Sequence, residues 1–187
     1  MKIVQKLLYL DIKSQYMNSK IGLEPWVGIS PKILILGTIP SNISIKTQEY
    51  YSNPNNSFWK LIYNLFPQQE NFNKKEYITS LNIALWDCAK YGISTKGNAD
   101  KDLISASLQP NDIVGFLKQY PTITTIVLNG KSKGSEKKPS TPFLFTKWFA
   151  PNISNKYKVL ALQSTSNNNS KCFNSKLEEW KCLKYYL

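Results

Sequence analysis

The sequence predicts an α/β domain built on a parallel sheet with helices on both faces. Three observations carry that reading. Four short apolar runs recur along the chain, amphipathic helical patterns fall between them, and 187 residues are enough for one ordinary domain with its own buried core. Runs that are apolar without alternation are what strands buried on both faces look like, and such strands belong to parallel sheets.

In chain order, residues 1–21 read as an N-terminal helical extension, and Lys32–Leu36 is the first strand. Ser57–Phe66 places Phe58, Leu61, Ile62, Leu65 and Phe66 at helical spacing. Leu81–Leu85 is the second strand, Asn111–Tyr120 a helix and Ile123–Leu128 the third strand. Lys131–Ser140, rich in Lys, Ser and Gly, is an exposed loop. Lys158–Leu162 is the fourth strand and Ser175–Tyr186 the closing helix. No internal repeat or long linker interrupts the pattern, so one domain is expected over 1–187. Ligands of such sheets bind beyond the carboxyl ends of the strands. The turn Gly37-Thr38-Ile39-Pro40-Ser41, the pair Asn129-Gly130 and the stretch Gln163-Ser164-Thr165-Ser166 therefore point to one cleft.

Composition narrows the chemistry. Twenty-four basic residues against twelve acidic ones give a formal charge of +12, and the chain holds neither Arg nor His, so every basic residue is Lys. Lysines neutralise phosphates and release counterions regardless of base sequence, which makes nucleic acid the first expected partner. A Lys- and Asn-rich composition inherited from an AT-rich genome is the other source of the same charge. The lack of Arg removes the commonest bidentate reader of guanine and favours a reader of backbone and shape. The lack of His excludes His-dependent triads, the zinc-peptidase helix and the His-plus-cysteine zinc site of nucleobase deaminases. Cys88, Cys172 and Cys182 have no metal-binding spacing and read as core thiols. Leu7-Leu8-Tyr9-Leu10 is closed off by Asp11, too short for a signal-peptide core or a membrane span, so an intracellular, cytoplasmic address is expected.

The most informative stretch is Tyr50-Tyr51-Ser52-Asn53-Pro54-Asn55-Asn56-Ser57-Phe58-Trp59. Read by itself, Pro54 stiffens the approach, Asn or Ser caps the helix that opens at Phe58, and the tyrosines offer flat faces. A well-capped helix accounts for it as readily as a ligand site does. Taken in order, however, Gly37-x-x-Pro40-Ser41, Tyr50-Tyr51-x-x-Pro54-x-Asn56-x-Phe58-Trp59, Leu85-Trp86-Asp87, Asn129-Gly130 and Leu162-x-Ser164-Thr165-Ser166 resemble the uracil-DNA glycosylase superfamily, and within it the hypoxanthine (deoxyinosine) DNA glycosylase branch. The resemblance takes in Gly97-x-x-Asp100, Pro110-Asn111-Asp112 and Leu177-Glu178-x-Trp180, and so runs from about Gly22 to the C-terminus.

The resemblance implies a three-layer α/β/α sandwich around a four-stranded, mainly parallel sheet. It implies an enzyme that binds DNA, flips out a deaminated base such as hypoxanthine or uracil and hydrolyses its N-glycosidic bond without a cofactor or metal. A glycosylase for another modified base and a DNA-binding member without activity are the alternatives. Residue by residue, Asn56 and Asn129 match catalytic and base-contacting asparagines, while Gly37, Thr38, Ile39, Tyr51 and Phe58 surround the base. Ser41, Lys131, Ser164, Thr165, Ser166 and Asn167 contact the DNA. Lys133, Lys137 and Lys138 lie in the same loop as Lys131 and read either as further backbone contacts or as a solvated surface. Gln163 and Asn167 stand where the branch usually has proline, and Asn53 where it has histidine. Asp87 and Asp100 match branch positions and read equally as caps or as acid–base groups. The protein is expected to act as a monomer in the nucleoid.

Overall fold

The computed structural model describes residues 19–67, 72–94 and 103–187. In order it contains β1 (Ser19–Ile21), β2 (Ile33–Gly37), α1 (Asn42–Thr47), α2 (Phe58–Leu65), α3 (Lys74–Ser80), β3 (Ile83–Asp87), β4 (Ala89–Ser94), β5 (Leu103–Pro110), α4 (Ile113–Gln119), β6 (Thr125–Asn129), α5 (Thr141–Trp148), β7 (Lys158–Leu162) and α6 (Phe173–Trp180). A short 3₁₀ turn, Ala150–Asn152, follows α5, and another, Lys181–Tyr185, follows α6.

Four strands form the central sheet in the order β3-β2-β6-β7, and every pairing in it is parallel. The two faces of β2 explain the layering. Ile33 and Ile35 point into one core with Phe58, Leu61, Ile62 and Trp180, whereas Leu34 and Leu36 point into a second core with Ile113, Leu117, Leu144 and Phe145. Alternate residues of a strand face opposite sides, so a strand apolar at every position must be covered twice. Helices α2 and α6 cover the first face, α4 and α5 the second. This is the three-layer α/β/α arrangement expected from the sequence. From β2 the chain steps to β3 on one side and later to β6 on the other, which puts the change of direction, and the crevice it opens, at the carboxyl ends of β2 and β6.

The structure departs from the sequence reading in four ways. Residues 19–21 are not part of a helical extension but form β1, which pairs antiparallel with β4 (Ser19 opposite Ile93), and residues 1–18 lie outside the described residues. A second, antiparallel sheet β1-β4-β5 is present, with register shifts between β4 and β5. Its strands mix small and polar residues with apolar ones, so they lack the continuous apolar run that marks a parallel strand. Helices α1, α3 and α5 were also not expected. The closing helix starts two residues earlier and gives way to a 3₁₀ turn at Lys181. Gly97 and Asp100 lie outside the described residues.

Candidate active site

The carboxyl ends of the parallel strands open into a cleft of about 350 Å³, inside the range of about 300 to 1,000 Å³ usual for small-ligand sites. Its floor is set by the pairing of Gly37 in β2 with Asp87 in β3. A Cβ at residue 37 would run into the Asp87 carboxylate, so glycine is needed there to make room for that group. Asp87 is buried and is the one carboxylic acid among the described lining residues. Its backbone carbonyl accepts a hydrogen bond from Asn111 Nδ2 at 2.8 Å, which fixes the end of β3. Tyr50, also in the lining, donates to the carbonyls of Leu23 and Glu24, each at 3.2 Å. Burial, reinforced by the charge of Asp87, pushes its phenol far above the ordinary value, and Tyr50 stays neutral.

One wall is aromatic. Tyr51 sits in the left-handed region at φ 55, held beside a Tyr50 carbonyl that accepts from Trp59 Nε1 at 2.8 Å. Its ring stacks on Phe58 with centroids 4.0 Å apart and planes 22° apart, and Phe58 in turn meets Trp59 and Trp180 edge-on. Tyr51 lines the cleft and Phe58 does not. The expectation that Phe58 touches the base is thus corrected: fully buried in the core, it supports the tyrosine from beneath.

Asn56 lines the cleft at the head of α2. Its Oδ1 accepts from the Phe58 N–H at 3.0 Å, and its own N–H donates to the Asn53 carbonyl at 2.8 Å. Helix capping and catalysis were alternative readings of this residue. The N-cap position itself is Ser57, and the Asn56 bond reaches the first helical N–H from one residue further out; it engages one lone pair of Oδ1, and among the described residues no bond from Nδ2 accompanies it, so the side chain is oriented without being used up. Asn129, at the end of β6, is held at both ends: Nδ2 donates to Thr165 Oγ1 and Oδ1 accepts from Thr165 N–H, each at 2.9 Å. Gly130 follows with φ 151, a conformation open to glycine, and lets the chain turn beside Ser164.

Gly37, Thr38, Ile39, Ser41, Tyr51, Asn56, Asn129, Ser164, Thr165, Ser166 and Asn167 all line this cleft. Three of the residues expected at the DNA are engaged within the protein. Thr165 is fully buried, and its hydroxyl and backbone engage Asn129 and Ser57, so it is not a surface phosphate contact. Lys131 lies outside the lining, and its ammonium pairs with Glu179 at 2.7 Å. Ser41 caps α1 by accepting from Ser44 N–H at 3.1 Å. Ser164 and Ser166 accept from the backbone N–H groups of Ser166 and Asn168, and neither bond uses the hydroxyl proton. Thr141 was missed by sequence reasoning. It opens α5 behind the Ser140 cap and meets Thr38 across the cleft, hydroxyl to hydroxyl at 3.0 Å. No local pattern marks it, because its place comes from the packing of a remote helix start.

The cleft therefore combines an aromatic platform, two oriented amides, one buried carboxylate and a ring of hydroxyls. No family model matches the chain. It is 30% identical over 170 residues to a hypoxanthine DNA glycosylase of Methanosarcina acetivorans, an alignment covering 88% of this chain and 97% of that protein. It is 31% identical over 119 residues to a hypoxanthine DNA glycosylase of Methanosarcina barkeri, covering 62% and 73% of the two chains. Among solved structures, a solution NMR structure of a candidate uracil DNA glycosylase from Methanosarcina acetivorans superimposes with a TM-score of 0.67 at 27% identity, over 88% of this chain and 96% of that one. With the fold, the strand-end cleft and near full-length similarity in agreement, the chain belongs to the hypoxanthine DNA glycosylase branch of the uracil-DNA glycosylase superfamily.

Proposed function

We propose that this protein is a monofunctional DNA glycosylase that extrudes hypoxanthine or uracil from DNA into the strand-end cleft and hydrolyses its N-glycosidic bond. The convergence of Tyr51, Asn56, Asp87 and Asn129 on that cleft carries the reading. In the reaction the bond from C1′ to the base nitrogen breaks with its electron pair leaving on the base. A water oxygen then bonds to C1′, and the water's proton is taken up by the departed base. The sugar passes through an oxocarbenium-like state, so the protein has only to place the water and stabilise the leaving charge. Asn56 places the water, using the amide groups left over from its bond to the Phe58 N–H. Tyr51 stacks under the flipped base, its other face already backed by Phe58.

Asp87 and Asn129 read the base. Deamination converts a ring nitrogen that accepts hydrogen bonds, as in adenine or cytosine, into an N–H that donates, and replaces an amino group by a carbonyl. With the Asp87 carboxylate opposite the ring nitrogen and an Asn129 N–H opposite the exocyclic group, the deaminated edge is matched and the parent edge is not, a mismatch that buried polar groups penalise strongly. Ser164, Ser166 and Asn167, together with the exposed Lys133, Lys137 and Lys138, grip the backbone around the extruded nucleotide. The protein acts as a monomer, within the cell and on its DNA. No helix among the described residues is long and apolar enough to cross a membrane.

The test is incubation with oligonucleotides that each carry one hypoxanthine, uracil, adenine or cytosine at the same position, followed by alkali. Alkali-dependent breaks at hypoxanthine or uracil, and none at adenine or cytosine, are expected. Intact hypoxanthine and uracil strands would refute the reading.

A further inference from the structure

Thr165 joins three pieces of the cleft that are far apart in sequence. Its N–H and Oγ1 hold the two ends of the Asn129 amide, each at 2.9 Å, while its carbonyl accepts from both the N–H and the Oγ of Ser57 at 2.9 and 3.0 Å. Ser57 follows Asn56 and opens α2, Asn129 ends β6, and Thr165 itself lies in the loop after β7. The residue is wholly buried, and its contacts are short enough to fix geometry.

The bonds also decide which way round the Asn129 amide lies. A backbone N–H can only donate, so the amide atom facing it is the carbonyl oxygen, and the other end is the NH₂, which donates to Oγ1. What Asn129 has left for the cleft is then one N–H and one lone pair in a set order. An inverted amide would set N–H against N–H at the Thr165 backbone and would offer a base carbonyl another carbonyl.

We infer that Thr165 is a specificity-determining positioning residue: it fixes the donor–acceptor polarity of Asn129 toward the extruded base and ties that amide to the helix start carrying Asn56. The inference rests on the assignment of Asn129 as a base-reading residue.

Single-turnover release of hypoxanthine and uracil, at saturating protein, tests it in wild type, Thr165→Val, Thr165→Ser, Asn129→Ala and the Val/Ala double variant. Thr165→Val is expected to lower release by about fivefold or more and to shift the hypoxanthine-to-uracil ratio, with affinity for lesion-free duplex unchanged within about twofold. Thr165→Ser, which keeps the hydroxyl, should restore both rate and ratio. In the Asn129→Ala background the valine should cost less than about a further twofold. A full valine effect in that background would make Thr165 a purely structural residue and overturn the inference. So would wild-type behaviour of Thr165→Val alongside an impaired Asn129→Ala. A silent Asn129→Ala would overturn it too, by removing the base-reading role on which it stands. If Thr165→Val does not fold, the Asn129 amide protons of the wild-type protein, identified by their loss in Asn129→Ala, give the answer directly. One slowly exchanging proton is expected, and two freely exchanging ones would contradict the inference.

Discussion

Asn56 and Asn129 present the same side chain to the same cleft, yet the head of α2 and the end of β6 hold them differently. Asn56 is attached through one oxygen, to the N–H of Phe58, the first residue of α2. Asn129 is clamped at both ends by a single buried threonine. An amide held at one point keeps donors and a lone pair for a transient ligand such as water, whereas an amide held at two points presents a fixed pattern and suits recognition. On the proposed reading, the difference suits the first asparagine to chemistry and the second to discrimination. The bond to the helix start is compatible with the proposed catalytic role, because it consumes only part of the amide's hydrogen-bonding capacity.

The largest effect should follow from loss of the loosely held amide. Asn56→Ala is expected to slow single-turnover release by at least about tenfold with DNA affinity nearly unchanged, as for an interaction made mainly in the transition state. A wild-type rate would remove Asn56 from the chemistry. Asp87→Asn sharpens the recognition half. It replaces a charged acceptor worth about 1.5 to 3 kcal/mol in a hydrogen bond by an amide that can also turn its NH₂ to the base. Release of hypoxanthine should fall by roughly tenfold or more while cleavage at adenine, measured on the same oligonucleotide series, rises from background. An unaltered preference would exclude Asp87 from base reading.

Smaller effects are expected from the supports. Tyr51→Leu, which keeps an apolar side chain under the base, should weaken binding of lesion-containing DNA by about 1 kcal/mol, the lower end of the worth of a stacked base, and leave lesion-free DNA unaffected, as measured by competition titration. Equal weakening of both would mean that the ring serves the fold alone. Least of all per residue, replacing Lys133, Lys137 and Lys138 together by Ala should flatten the plot of log K against log salt by up to about 0.9 for each phosphate that a lysine no longer neutralises. An unchanged slope would make that loop a solvated surface.

Three strands of the sheet were legible because β2, β3 and β6 are buried on both faces and so are written as plain apolar runs, each offset by one or two residues from its expected bounds; β7, a largely exposed edge strand, is found where the sequence places it, at Lys158–Leu162. The offset of β3 has a local cause, since Asn82 adopts a left-handed φ of 57 and the strand begins only after it. Helix α3 carried a readable signal, a capping box of Asn73 and Glu76. Helix α5 likewise carried one, Ser140 followed by Thr141 and Pro142. The antiparallel sheet carried none of comparable strength. In the site, Gly37, Asp87, Asn129 and Ser164 converge because they sit at or just beyond strand ends, which the chain order already implies, whereas Tyr51 and Asn56 reach the cleft from the segment between α1 and α2. Which of them point into the cleft was not legible. That Phe58 lies under Tyr51, that Thr165 faces inward to Asn129 and that Lys131 pairs with Glu179 are outcomes of packing between segments distant in sequence.

The division of labour between the two amides is tested most directly by one ratio, the single-turnover rate on hypoxanthine over that on uracil, measured in wild type, Asn56→Ala and Asn129→Ala. A residue that places water acts alike on both bases, so Asn56→Ala should lower both rates and leave the ratio at its wild-type value. A residue that reads the base cannot, because a purine and a pyrimidine present their edges at different reach, so Asn129→Ala should move the ratio by about threefold or more. A ratio that shifts in Asn56→Ala and holds in Asn129→Ala would contradict the assignment of both residues.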